Sequence, residues 1–479
     1  MTTLSSRSRW LTLMVLCLGD LMIVLDTTIV TVALPSIQGD LGFTDTGLVW
    51  VINAYMLTFG GFLLLGGRLG DIFGNRRLFL IGIAGFTLAS VACGLAPSQG
   101  VLVAARAVQG FAGAVVSAVA LSLIMNLFTD GAERAKAMGI FGFVMAGGGS
   151  LGVLLGGVLT DVLSWNAIFL VNVPVGIAVF ALTVKLLRAE AGASAGVKID
   201  FAGAATVTLA LMLAVYATVN GNEAGWGSPQ TLGFLGAAAV LFAAFLVIES
   251  RIAHPLIPLG LFKLRNLSTA SVVGILWSTA MFAFSFLSAL YLQLVLGYTP
   301  LQVGLAVLPA NLLMGAFSIG LSAKIVMRFG IRGPLVAGML LIAAALIAFS
   351  FAPADGTFLV NILGPMVVLG VGVGIAFNPV LLAAMSDVEP SRSGLASGVV
   401  NTAFMMGGSL GLAVLASLAS GRTGTLAAAG APAAEALTGG YQLAFLVGAL
   451  FALAAAAIGA VFLRKPKDAA PAGEAVLAH

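Results

Sequence analysis

The chain has 479 residues, of which 60% are hydrophobic and only 8% charged, with a mean hydropathy of +1.12. Soluble globular domains carry roughly a quarter charged residues, so this composition excludes a soluble enzyme or binding module and indicates an integral membrane protein. The net charge of +4 and the pI near 9.2 follow from the placement of Lys and Arg in membrane topology, and do not call for a nucleic-acid partner.

Apolar runs of about 20 residues can cross a hydrocarbon core of about 30 Å as helices. They are expected at 10–34, 47–66, 78–96, 101–126, 137–160, 166–187, 201–219, 231–248, 268–292, 301–321, 333–352, 359–383, 395–419 and 440–463, fourteen spans of an all-α membrane fold. Positive residues stay on the cytoplasmic side. With the N-terminus inside, all but two of the 22 Lys and Arg fall in cytoplasmic segments; Arg422 lies in an outer loop and Arg106 within a span. An error in the span count would scramble this alternation, so both termini are expected in the cytoplasm. The basic N-terminus before the first apolar run resembles a secretory signal, but the run is too long and lacks a small-residue cleavage site. It is therefore expected to remain as the first span. Cys17 and Cys93 lie within spans, too few for a disulfide framework, and read as packing residues.

The chain repeats itself. "LGFT" at 41–44 returns as "LGYT" at 296–299, "FGNR" at 73–76 as "FGIR" at 329–332, and "GGSLG" at 148–152 as "GGSLG" at 407–411. Three matches in one order at nearly one offset imply two homologous six-span halves, expected at 1–190 and 267–465. Between them, 191–266 holds spans seven and eight, which carry no charge within the membrane and read as a lipid-facing spacer. A small-residue tail, 466–479, is expected to be cytoplasmic and disordered. Repeated halves with a site near mid-membrane are an architecture of secondary transporters. His254 reads as part of an interfacial elbow leading into span nine, and His479 ends the tail.

Ionisable residues inside a membrane normally mark a pathway, a pair or a relay. Of 18 acidic residues only Asp20 and Asp26 lie well inside a span, and the only basic one is Arg106. Asp26 lies nine residues before Pro35 and Arg106 five after Val101, roughly 13 Å and 7.5 Å below the outer ends at 1.5 Å per residue. An Arg side chain closes that gap if spans one and four adjoin. Asp20 is about 9 Å deeper and rotated by about 120°, a poorer partner for Arg106. In this reading Asp26 alternates between pairing with Arg106 and carrying a proton; the structural alternative is a static pair joining two helices.

Glycine is the other signal. "GGSLGVLLGG" at 148–157 puts Gly148, Gly152 and Gly156 on one face of span five, with Gly157 beside them, a spacing that lets helix backbones approach closely. "GGRLGDIFGNRR" at 66–77 joins spans two and three with turn-permitting glycines, an acid and a basic pair.

These residues resemble the fourteen-span drug:proton antiporters of the major facilitator superfamily over nearly the whole chain. The resemblance is carried by "LDTTIVTVALP" at 25–35, "WVINAYML" at 50–57, "GRLGDIFGNRR" at 67–77, "LVAARAVQG" at 102–110 and the span-five glycines. It implies two six-helix bundles plus two central spans. It also implies residue roles: Asp26 as the proton-responsive acid and Arg106 as its partner, followed in span four by Gln109 and Gly110. Gly67, Asp71, Gly74 and Arg76 would latch the cytoplasmic gate, and Gly148, Gly152, Gly156 and Gly157 would form a hinge or close contact. The chain departs from the pattern at Val153, where a Pro is usual, at Asn75, at Asn166 and Ala167, and at Asp20, which is a candidate for substrate preference or altered coupling.

The implied activity is proton-coupled export of amphipathic drugs, dyes or antibiotics by alternating access, with Phe and Met lining an adaptable cavity. The alternatives are a narrow-specificity exporter or flippase of one metabolite or lipid, and a non-transporting sensor or scaffold. No nucleotide loop, nucleophile–base pairing or metal cluster is legible, so neither an enzyme nor a cofactor is expected beyond the proton gradient. The expected partners are a small substrate, protons and the lipid bilayer of the cell membrane, around a monomer.

Overall fold

A computed structural model describes residues 6–128, 130–187, 200–252, 255–317, 321–388 and 393–464. The side chains of Arg68, Asp71 and Arg134 and several between 131 and 150 are outside the described set, as are His254, His479 and the tail. The helices are α1 (Ser6–Leu41), α2 (Val49–Phe73), α3 (Asn75–Gly94), α4 (Gln99–Leu127), α5 (Gly131–Val162), α6 (Ala167–Leu170), α7 (Asn172–Leu186), α8 (Phe201–Ala224) and α9 (Pro229–Arg251). They continue as α10 (Arg265–Leu290), α11 (Pro300–Ala316), α12 (Ser322–Phe329), α13 (Arg332–Phe349), α14 (Leu363–Met385), α15 (Ser393–Ala428) and α16 (Ala433–Phe462). Among the described residues twelve apolar spans are long enough to cross a membrane, and shorter apolar stretches in α5 and α11 bring the total to the fourteen expected. Each span satisfies its own backbone hydrogen bonds, which a hydrocarbon environment requires.

Local chemistry sets the helix ends. Thr299 accepts from the Gln302 backbone while the Gln302 side chain accepts from the Thr299 N–H, with Pro300 at the first helical position of α11, a reciprocal cap that fixes where the helix starts. At α9 the cap is one-way: Ser228 Oγ accepts from the Thr231 N–H, with Pro229 at the first helical position. The "GRLGDIFGNRR" segment proves to be mostly helix: α2 runs on through Phe73, and only Gly74, at φ 88°, breaks it. A left-handed backbone there is cheap only for glycine.

The internal repeat survives in three dimensions. Gly42 and Gly297 share φ 69°, and Gly74 and Gly330 take φ 88° and 73°. In the first half Gly152 of α5 lies against Thr28 of α1, and in the second Gly411 of α15 lies against Thr279 of α10. The same Gly–Thr contact thus packs corresponding helices in each bundle, where the absence of Cβ brings backbones together.

The halves meet along two seams. α5 packs on α11, where a Cβ on Gly157 would lie 2.7 Å from the Pro300 carbonyl and one on Gly304 3.1 Å from that of Val153. α2 packs on α15, with Gly60 beside Met405 and Gly398 beside Leu64. Near the C-terminal end of α1, Gln293 donates to the Val32 carbonyl at 2.9 Å. Of spans seven and eight, read as a lipid-facing spacer, α9 packs little against the rest of the protein, only 17% buried over its apolar stretch. The spacer reading fails for α8, which touches both halves: Thr208 fills the space over Gly61 of α2, and Asn222 donates to the Ser417 carbonyl of α15 at 2.6 Å. Apolar composition alone does not distinguish a helix facing lipid from one facing protein.

Candidate functional site

On α4, Leu102, Arg106, Gln109, Gly110 and Gly113 share one face, as three- and four-residue steps require. Gly110 and Gly113 let that face approach α2 closely: a Cβ on Gly110 would collide with the Tyr55 carbonyl, and one on Gly113 would lie 3.2 Å from the Tyr55 hydroxyl. The approach brings the Val51 carbonyl to 2.9 Å from Arg106 Nε and the Tyr55 ring to 4.4 Å from the guanidinium carbon. Phe169 lies 5.6 Å away.

Arg106 Nη1 forms an ion pair with Asp26 Oδ2 and donates to Gln109 Oε1 at 2.6 Å. Gln109 Nε2 donates to Asp26 Oδ1 and to Ser90 Oγ, both at 2.7 Å. Asn172 Nδ2 donates to the same two atoms at 2.9 and 3.2 Å. Asp26, Ser90 and Gln109 are fully buried, and Arg106 and Asn172 almost so. Helices α1, α2, α3, α4 and α7 therefore converge on one carboxylate–guanidinium pair. Removing two such charges from water costs several kcal/mol each unless the remaining lone pairs and donors are engaged, and here two amides and two carbonyl or amide oxygens engage them.

Asp20 is equally buried but separate. Ser117 of α4 donates to its Oδ1 at 2.6 Å, while Oδ2 has no hydrogen-bond partner among the described residues. Sequence spacing left Asp20 without a partner because Ser117 lies three turns along α4 from Arg106, and a Ser in a span carries little signal. Asn172 and Ser90 carry no more signal than Ser117, since a neutral polar side chain in a span can bond its own helix backbone.

The remaining motif residues divide. Gly148 lies against Leu21 and Val24, Gly152 against Thr28, and Gly156 against the Ile29 carbonyl, so all three seat α5 on α1, while Gly157 faces the other half. α5 runs unbroken through Val153, as expected where Pro is absent. Arg76 Nη2 donates to the Val184 carbonyl of α7 at 3.2 Å. A Cβ on Gly67 would meet nothing within 4 Å. The side chain of Asp71 lies outside the described residues, so its place in a latch is untouched by this geometry.

α1 has two working faces. At about 100° per residue, Thr27, Thr28 and Thr31 project about 100–200° from Asp26. They line a cavity of about 330 Å³ between the halves, facing Trp277, Met281, Phe282 and Asn311 of α10 and α11, with Met366 of α14 beyond. One helix thus carries the charge network on one side and a cavity wall on the other.

A profile described as Major Facilitator Superfamily matches residues 16–412. The chain belongs to that superfamily. It is 39% identical over 451 residues to a puromycin resistance protein of Streptomyces alboniger, covering 92% of this chain and 89% of the relative. It is 38% identical to a cephamycin export protein of Amycolatopsis lactamdurans, covering 93% and 91%. Among solved structures, an auto-inhibited POT family peptide transporter superposes with a TM-score of 0.67 at 17% identity, covering 96% of this chain and 98% of that one. At that identity the likeness shows the fold, two helical bundles of a major facilitator transporter. The protein is therefore a non-enzymatic membrane transporter, as its sequence implied.

Proposed function

We propose that the protein is a proton-coupled antiporter that exports amphipathic drugs or antibiotics across the cell membrane by alternating access. The observation that carries this reading is the sealed Asp26–Arg106 pair on the face of α1 opposite the cavity-lining threonines. A proton reaching Asp26 neutralises the carboxylate, and Arg106 then holds only Gln109, the Val51 carbonyl and the Tyr55 and Phe169 rings. The ion pair that ties α4 to α1 is lost, and α1 is then held to α4 and α7 only by neutral hydrogen bonds from Gln109, Asn172 and Ser117, which are weaker than the charge-assisted contact and let it shift. Because the other face of α1 walls the cavity, that movement changes the cavity's access.

The working units are the bundles 1–190 and 267–465, with 191–266 between them, both termini in the cytoplasm, and a monomer as the transporting form. The close α5–α11 contact at Gly157 and Pro300 and the Gln293–Val32 hydrogen bond would close the outer side in one state and part in the other. Inward proton flow supplies about 2.3 kcal/mol per charge for each 100 mV. Gly67, Asp71, Gly74 and Arg76 would act at the cytoplasmic gate. The names of the relatives, a puromycin resistance and a cephamycin export protein, support outward movement of antibiotic-like molecules.

The test is dye or antibiotic uptake into inverted vesicles under an imposed pH gradient, comparing wild type with Asp26→Asn and Arg106→Ala. Both variants are expected to lose gradient-driven uptake. Unchanged transport by either would refute the coupling role.

A further inference from the structure

We propose that the cargo is an uncharged, planar aromatic molecule bearing hydroxyl or N–H donors, and that the cavity discriminates against organic cations. This rests on the reading of the cavity as the transport site. Among the described residues that line it, none is ionisable. The flanking stretches agree in sequence: 137–160, 266–323, 333–352, 356–386 and 393–421 contain no Asp, Glu, Lys, Arg or His. All membrane-embedded charge belongs to the first bundle, and there Asp26 is already engaged by Arg106, Gln109 and Asn172 while Asp20 is fully buried. A cation entering this cavity would find no counter-charge, and an unpaired charge in an apolar site is strongly disfavoured.

The polar groups that do line it are directional. Thr27 donates its hydroxyl hydrogen to the Val24 carbonyl at 2.7 Å, Thr31 to that of Thr28 at 2.7 Å, and Thr28 to that of Leu25 at 3.2 Å. Each threonine hydroxyl hydrogen is used within α1, so these three groups offer lone pairs to donors on the cargo, while on the facing wall the Asn311 amide and the Trp277 Nε1–H, which has no partner among the described residues, offer hydrogens to an acceptor such as a ring carbonyl. Across the cavity Trp277 is held by Phe377 and Phe404, with ring centroids at 5.7 and 5.6 Å, presenting a braced aromatic wall flanked by Met281, Met314 and Met366. Flat rings stack on such a wall, and the thioethers adapt to their outline. A neutral cargo also leaves the proton's charge uncompensated, so each exchange is electrogenic; a 100 mV potential alone then supports a gradient of roughly 45-fold per proton.

The experiment titrates purified protein in nanodiscs with acridone, a neutral three-ring aromatic with one N–H donor, and with N-methylacridinium, a permanent cation of nearly the same size. Acridone is expected to bind at least about tenfold more tightly, as an unpaired buried charge requires, and Thr31→Val is expected to weaken it severalfold through a lost hydrogen bond. Equal or tighter binding of the cation overturns the proposal. In parallel, acridone concentration jumps on proteoliposomes adsorbed to a solid-supported electrode are expected to evoke a current in wild type and none in Asp26→Asn. Selective binding without current would leave the cargo class standing and refute proton antiport, whereas binding of neither compound would refute the cargo class and leave antiport to the vesicle assay.

Discussion

Replacing Asp26 by Asn is the sharpest perturbation of the buried network, because it removes one charge and leaves the other no escape. A guanidinium stays protonated in proteins, so Arg106, 1% exposed, would remain charged with no carboxylate beside it, only the neutral oxygens of the substituted amide, Gln109 and Val51 and two aromatic faces. Breaking a buried pair in this way typically costs about 3–5 kcal/mol. Arg106→Gln removes the other partner, but a carboxyl can take up a proton and keep the Asn172 and Gln109 amide hydrogens, so the loss is expected to be smaller, about 1–3 kcal/mol. In the double variant Asp26→Asn/Arg106→Gln no charge remains, and the four neutral groups can hydrogen-bond with one another. The double loss is therefore expected to be less than the sum of the singles by about 2 kcal/mol or more, within the range measured for residues in contact. Thermal and denaturant unfolding of the four proteins in one detergent reads this coupling. Losses that add to within about 0.5 kcal/mol would refute the view that Asp26 and Arg106 form a single energetic unit.

Three further outcomes follow from the packing. Gly157→Ala places a Cβ 2.7 Å from the Pro300 carbonyl and 3.0 Å from Leu301 Cα, backbone atoms that no rotamer change can move, so the halves should separate at that point. Vesicle transport and the labelling rate of a Cys at the outer seam are expected to change together. Gly67→Ala, by contrast, meets open space in the middle of α2, so a melting temperature equal to or above wild type is expected, since Ala outperforms Gly in a helix by about 1 kcal/mol. Ser117→Ala leaves both oxygens of Asp20 without a hydrogen-bond donor and should destabilise by about 1–3 kcal/mol. Adding Asp20→Leu to that variant is expected to restore the loss, and failure to do so would mean that the Asp20–Ser117 contact contributes little.

How much was legible in the sequence varies from residue to residue. The Asp26–Arg106 pair was legible because each lies at a countable depth in a helix of known rise, and because charge inside a membrane is rare enough to demand a partner. Asn172, Ser90 and Ser117 were not, since a neutral polar residue can hydrogen-bond to its own helix backbone and needs no remote partner. The glycines gave the right surface but not its occupant: spacing showed that α5 would meet another helix closely, without showing that Gly148, Gly152 and Gly156 meet α1 and Gly157 meets α11.

The sequence by itself determined the fourteen spans, their orientation as an expectation from the Lys and Arg placement, and the two-half repeat, because membrane insertion depends on local runs of apolar residues and flanking charge. Only the tertiary structure decided that α8 bridges both halves while α9 faces outward, and that α1 has a charged face and a cavity face. It also showed that the cavity's lining contains no ionisable group among the described residues. Those are properties of which helix stands beside which, and in hydrocarbon that choice is made by shape and by a few hydrogen bonds. Local hydropathy carries almost no trace of either.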